Sequence, residues 1–557
     1  MTFILPLPAF AENSAGSYLA GRQAIARSDF ANAAEFYSRA LALDPSNPTL
    51  MESVVLSRLA MGEIDRALPV AQQMEAQGLR SQVAHMVVQA NLLAEGDYAA
   101  YLDRDPGTQG IGKLADGLLA GWAHLGAGSV GQAIAQFDRV GDTNGVRNFA
   151  RYHKALALAS VGDFEGAEAI FAADEGVVTT LSRRAAMARA EVLSQLGRND
   201  DALEMLADVF GPSFDPGLTA VADRLVAGET LPFTHVRTPQ EGLAEVFFTI
   251  GAALNDEAAD DFVLIYARAA SYLRPDHIDA ILLSAELLED MGQFDLSVAT
   301  YRKVPQDSAD HHAAEMGRAE ALRRAGKPDA AIEVLESLAI DYPMLPLVHS
   351  SLGDLLRQQE DYASAVKAYD QSLEFLEEGD SREWFVLYAR GISHERLKQW
   401  ENAEADFRRA LELNPDQPQV LNYLGYSLVE RQIKLEEALD MIERAAAARP
   451  DSGYIIDSLG WVLFRLGRYE EAVAHMERAV ELMPVDPVVN DHLGDVYWAV
   501  GRHREAEFQW SRALSFVDPG DKDNEAKPDR IRAKLEIGLD AVLAQEGAEP
   551  IRVANEQ

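Results

Sequence analysis

A dipeptide that returns at a fixed interval constrains this chain more than anything else in it. Leu424-Gly425, Leu459-Gly460 and Leu493-Gly494 stand 35 and 34 residues apart, counted glycine to glycine. Behind each glycine come a small residue (Ala438, Ala472, Ala506), a large apolar one (Ile442, Met476, Trp510) and a second alanine (Ala445, Ala479, Ala513). Pro450 and Pro484 close the first two units, and Pro519 follows the third. Such a period, with small residues at fixed places and a closing proline, specifies a pair of antiparallel helices. One pair is too small to bury its own apolar face, so successive pairs must stack. Glycine inside a helix costs up to about 1 kcal/mol relative to alanine. A packing reason must therefore hold it there, and the glycine and first alanine are expected to let the two helices approach closely. Proline stops the second helix, because it lacks an N–H and disfavours helix in the residue before it. Asp451 and Asp486 follow Pro450 and Pro484, as Asp416 follows Pro415 one unit earlier, and all three are placed to cap the next helix.

The register extends far beyond these units. Gly21, Ala33, Tyr37, Ala40 and Pro45 hold the same offsets, and the pattern continues through Val55, Gln89, Gly121, Ala155 and Ala190. That makes six units, the third degraded, with an irregular loop expected over 103–112. Turn chemistry over 211–217 then interrupts the register, followed by a short helix (218–227) and an extended stretch around 231–239. The step there is 61 residues, from Ala190 to Gly251, which predicts an offset or hinge between two arrays. Gly251, Ala285, Ala319, Gly353, Gly391, Gly425, Gly460 and Gly494 mark eight further units. After a charged spacer, 530–543 reads as one amphipathic helix covering the last repeat.

The pattern resembles the tetratricopeptide repeat (TPR) family. The expected organisation is a segment 1–11, an N-terminal array over 12–210, a linker with a short helix over 211–240, a C-terminal array over 241–518 and a capping helix with its tail over 519–557. The whole reads as an all-α solenoid of about fourteen helix pairs, whose core grows along one axis and so accommodates 557 residues.

Composition narrows the function. Asp and Glu number 89 against 50 Lys and Arg, a net charge of −39. No basic surplus remains to neutralise phosphates, so nucleic acid is not an expected partner. The absence of cysteine excludes disulfides, thiolate metal sites and cysteine nucleophiles. Residues 107–114 follow the phosphate-loop pattern as far as Lys113, but Leu114 stands where a hydroxyl must reach Mg²⁺. A nucleotide-binding protein is therefore only an outside alternative. His394-Glu395 lacks the second histidine of a zinc helix, since Lys398 holds that place, and all twelve histidines are expected at the surface. The repeats leave no room for a separate catalytic domain. No catalytic residue, cofactor or metal is expected.

The first eleven residues are apolar and uncharged and end in Ala9-Phe10-Ala11, an A-x-A cleavage pattern. They read as the tail of a secretory signal peptide whose start lies upstream, which makes the protein periplasmic. The alternative is an apolar strap on the first helix of a cytoplasmic protein. No segment has the apolar length of a membrane span.

The resemblance implies that the first helix of each unit lines a concave face that holds protein or peptide partners. Transferred by register, the face takes Phe385, Tyr388, Ile392 and Arg396 from one unit, and Asn422, Tyr423, Tyr426 and Glu430 from the next. Tyr454, Asp457, Trp461, Phe464 and Arg465 follow, and Asp491, His492, Asp495 and Trp498 close the row. Aromatic residues beside a few polar groups are the material of recognition hot spots. Chaperone-binding members of the family clamp a carboxylate with Lys, Asn and Arg. Here Asp457, Asp491 and Asp495 would repel one and only Asn422 matches, so no such clamp is expected. The cores of the last units resemble bacterial envelope TPR proteins, some of them outer-membrane lipoproteins that present substrates to a C-terminal processing protease. That resemblance implies a non-catalytic scaffold or adaptor, the alternative being an assembly factor for an envelope complex.

Overall fold

A computed structural model describes residues 14–143, 145–173, 183–211, 214–377, 379–518 and 526–548. The segment 1–11, Pro212, Ser213, Pro519 and the tail beyond 548 lie outside the described residues. Among the described residues the chain forms helices and no strand. The described residues form fourteen helix pairs, from Ser14–Ile25 with Phe30–Leu43 to Pro487–Ala499 with His503–Phe516.

The packing reason for the glycines is specific. A Cβ on Gly353 would lie 2.6 Å from the ring of Tyr369, one on Gly391 2.7 Å from Phe407, and one on Gly425 2.7 Å from Ile442. At Gly460 and Gly494 the obstructing side chains are Met476 and Trp510. The large residue of the second helix, rather than its first alanine, is thus what each glycine accommodates, and the alanines close the rest of the seam, fully buried. Of the three proposed caps only Asp486 acts as one, accepting from Val488 N and Val489 N at 2.9 and 3.0 Å. Asp416 instead pairs with Arg444, and Asp451 lies 3.9 Å from Arg449. The extra residue near 431–434 is absorbed by Lys434, whose left-handed backbone (φ 51°) precedes Leu435–Ala448.

The chain divides into two compact units, 1–338 and 339–557. In the first, the array does not keep an open inner face. Helices Pro239–Leu254 and Asp260–Leu273 pack on Pro48–Ala60, Gln82–Ala94, Lys113–Gly126 and Arg147–Ser160, all first helices of earlier pairs. Every residue from Gly242 to Gly251 is buried, as expected of a helix that is apolar on all sides. Gly242 lets Trp122 lie against its backbone. Arg268 reaches across to donate to the Ala60 carbonyl at 3.0 Å, and Tyr272 to Asp65 at 3.1 Å. The stretch 211–240 lies within this unit and carries the helix Pro216–Val226. Its extended part is pinned by Ser194 Oγ, which accepts from Leu231 N, and by Glu191, which accepts from Thr234 N. The loop expected over 103–112 contains one helical turn, Pro106–Gln109, started by Asp105.

The second unit holds five pairs, from Pro346–Gln358 onward, and two closing helices. The single helix expected over 530–543 is broken into Pro528–Ile537 and Leu539–Glu546. Gly538, at φ 80°, turns the chain there, beneath the indole of Trp498.

Candidate partner-binding groove

In the second unit the first helices Glu383–Arg396, Pro418–Glu430, Gly453–Arg465 and Pro487–Ala499 succeed one another. Between them lies a cavity of about 370 Å³. Its walls include Glu395, Arg396, Asn422, Tyr423, Tyr426, Glu430, Arg431, Tyr454, Asp457, Asp486 and Val489. Seven predicted groove residues thus meet: Arg396, Asn422, Tyr423, Tyr426, Glu430, Tyr454 and Asp457. Asn422 Oδ1 is shut off from solvent and accepts no hydrogen bond. Tyr423 donates to Glu395 at 3.5 Å, and burial holds its phenol well above the ordinary tyrosine range. Tyr454 is 56% exposed.

The remaining predicted residues go elsewhere. Tyr388 packs edge-on against Tyr423, ring centroids 5.9 Å apart. Trp461 is buried between Phe464 (4.9 Å) and His492 (4.0 Å), both stacked on it. Its Nε1 donates to Glu430 at 2.8 Å, while Arg465 lies 5.9 Å over its ring. His492 also pairs with Asp457 at 3.0 Å. Burial works to lower the His492 pKa, but the Asp457 charge and hydrogen bond carry it up to about 9. Asp491 and Asp495 are taken by Lys534 of the closing helix, whose Nζ lies 2.9 Å and 2.6 Å from them. Trp498 donates to Asp540 at 2.8 Å. These three face the closing helices rather than a groove, because Pro528–Ile537 packs where the first helix of another pair would stand.

Contrary to expectation, seven of the twelve histidines are buried: His85, His153, His235, His277, His349, His394 and His492. Two of them, His235 and His277, belong to a polar cluster in the first unit that the sequence reading missed. At its centre Glu245, fully buried, accepts from Arg184 Nη2 at 2.7 Å, Tyr152 Oη at 2.8 Å and His277 Nε2 at 3.2 Å. His277 Nδ1 accepts from Ala280 N, which leaves the proton on Nε2. Tyr152 Oη also meets His235 Nε2 at 3.2 Å, and Arg184 reaches Asp279 at 2.5 Å. Next to this cluster, Trp122 Nε1 donates to His153 Nδ1, whose Nε2 meets Thr249 Oγ1. Burial pushes His153 down to about 4, and burial followed by the Arg184 charge pushes His235 down to about 3. Burial acts to raise Glu245, but the Arg184 charge holds it well below the carboxylate range. The signal in the sequence was Glu245 itself, one carboxylate in the apolar run 242–251. Among the described residues no three His, Asp or Glu side chains are arranged to hold a metal.

The loop 107–114 is not a phosphate cradle. The N–H groups of Ile111 and Gly112 already donate to Asp116 at 3.0 and 3.1 Å, and no strand precedes the loop among the described residues. No helix among the described residues is long and apolar enough to cross a membrane.

Tetratricopeptide-repeat family models match residues 183–208, 282–346, 384–417 and 455–484. A TPR repeat-containing protein of Pseudomonas aeruginosa is 27% identical over 156 residues, which span 28% of this chain and 26% of that protein. The chain thus covers about a quarter of that relative's length. Among solved structures, MamA aligns at 25% identity over 30% of this chain and 96% of its own, with a TM-score of 0.27. The Cut9–Hcn1 assembly of the APC/C aligns at 14% identity over 95% and 97%, with a TM-score of 0.38. YrrB, described as a TPR protein with an unusual peptide-binding site, aligns at 18% identity over 34% and 95%, with a TM-score of 0.28. Repeat period, helix pairing and family matches agree: the chain carries tetratricopeptide repeats, matched directly at those four stretches.

Proposed function

We propose that the protein is a non-catalytic scaffold that holds an extended segment of a partner protein in the groove of its second unit. The observation that carries this is the cavity where Asn422, Tyr423, Tyr426 and Tyr454 converge. The phenols supply rigid contact area at low entropic cost. The first unit is assigned no such role, because its inner face is filled by helices Pro239–Leu254 and Asp260–Leu273. The net charge of −39 favours protein over nucleic acid as the partner.

The reading extends to place and pathway: a bacterial envelope protein that presents substrates to a C-terminal processing protease. The supporting features are Ala9-Phe10-Ala11 and the Asn-Tyr-Leu-Gly-Tyr, Asp-Ser-Leu-Gly-Trp and Asp-His-Leu-Gly-Asp cores. Crosslinking pulldown from cells tests the groove. Wild type should retain a defined partner, and the Tyr426→Ala, Tyr454→Ala variant should lose it. Retention by the variant would move binding to another surface and favour an assembly factor. Fusion of the N-terminus, with its upstream codons, to a reporter active only after export tests location, and a cytoplasmic signal sinks the envelope assignment.

A further inference from the structure

The groove of the second unit has a chemical bias. Tyr423, Tyr426 and Tyr454 present aromatic surface to the cavity, and Glu395, Glu430, Asp457 and Asp486 bring negative charge to its walls. Two arginines line it as well, but both have partners. The Arg431 guanidinium lies 4.6 Å over the Trp400 ring, and Arg396 Nε lies 3.9 Å from Glu395. Asp457 is balanced by His492, and Asp486 is occupied as a helix cap. Glu430 accepts one hydrogen bond, from Trp461, through Oε1. What the cavity offers an incoming group is therefore π surface and four carboxylates against two arginines, a set that favours donors and positive charge.

We propose that the cavity seats a lysine or arginine side chain of the partner segment, with the cation against the tyrosine faces and near Glu430. This rests on the groove reading above and specifies what that groove selects. Cations are attracted to tyrosine faces within about 6 Å. A carboxylate nearby adds charge pairing that is stronger in a half-enclosed site than in open water. The field of a chain carrying −39 draws a basic segment toward the site and repels an acidic one.

The test is an array of blocked peptides with one central residue varied over Lys, Arg, norleucine, Gln and Glu, probed with the full chain. Lys- and Arg-centred peptides should bind, with norleucine and Glu about tenfold weaker or more. Raising salt from about 50 to about 500 mM should erode that preference. Tyr454→Ala and Glu430→Gln should each reduce the Lys preference while leaving the thermal midpoint in place. Tyr454 is largely exposed, and a glutamine at 430 still offers Trp461 an oxygen. Binding that prefers norleucine, Gln or Glu overturns the cationic assignment and leaves the groove standing. Failure to bind any peptide of the array overturns both.

Discussion

The indole of Trp461 and the imidazole of His492 stack with centroids 4.0 Å apart and planes 11° from parallel. His492 is held protonated by Asp457 behind it, so the pair is a buried cation against an aromatic face. Trp461 is therefore part of the wall between two repeats, although its register position points to the groove. Trp461→Ala should cost about 3–5 kcal/mol in denaturant unfolding of the second unit. Tyr454→Ala should shift the same midpoint by less than about 0.5 kcal/mol. Equal midpoints for the two variants would remove the wall role from Trp461.

The two units should answer pH in opposite directions. His492, with a folded pKa of about 9 against an ordinary 6.5, adds stability that is complete below 6.5 and lost as pH rises to 9. The total is on the order of 3 kcal/mol. His153 and His235 in the first unit have folded values of about 4 and 3. Their contribution is complete above 6.5 and falls by about 1.4 kcal/mol per pH unit for each as acid is added toward 4. Unfolding midpoints measured against pH should lose the alkaline slope in His492→Gln and part of the acid slope in His153→Asn. Unchanged slopes would mean that neither histidine controls its unit.

Lys534 is nearly inaccessible and faces Asp491 and Asp495. Removing it leaves two buried carboxylates, with Arg530 3.7 Å from one of them. Lys534→Met should cost about 3–5 kcal/mol and undock helices Pro528–Ile537 and Leu539–Glu546. Hydrogen exchange should show protection lost across 528–546 and kept in Pro418–Glu430. Uniform protection in the variant would show that the apolar contacts alone hold the cap.

Glu245→Gln should weaken the first unit by about 3–5 kcal/mol, because Arg184 then keeps only Asp279 as an ionic partner. A Glu245→Leu, Arg184→Met double variant should recover only part of that loss, since it leaves Asp279 without its ionic partner and Tyr152 and His277 without their acceptor. Additive losses in the double variant would show that the pair contributes net stability rather than only a penalty when broken.

What could be read from the sequence was what repeats locally. The offset of sixteen or seventeen residues between glycine and large residue, as in Gly391 with Phe407 and Gly425 with Ile442, is a contact within one helix pair, so its period survives in the sequence. The same offsets put Asn422, Tyr423, Tyr426 and Tyr454 on helices that share one cavity. The closing helix was legible as a cover but not in its placement, since Lys534 carries none of the register residues that would mark it as another first helix. Glu245 was out of reach for a different reason. Its partners Arg184 and Tyr152 lie 61 and 93 residues away, a separation that a nearest-neighbour repeat pattern does not encode.

Arg268 donates to the carbonyl of Ala60 across 208 residues, and this changes when the first unit can become a protein. A stack held only by adjacent repeats can form as it leaves the ribosome, pair by pair. Here the helices synthesised first wait for Pro239–Leu254 and Asp260–Leu273 to emerge before their inward side chains have a surface to meet. Until then Trp122 lacks the cover that Gly242 gives it, and the burial seen in the first unit is complete only once Leu273 has been made.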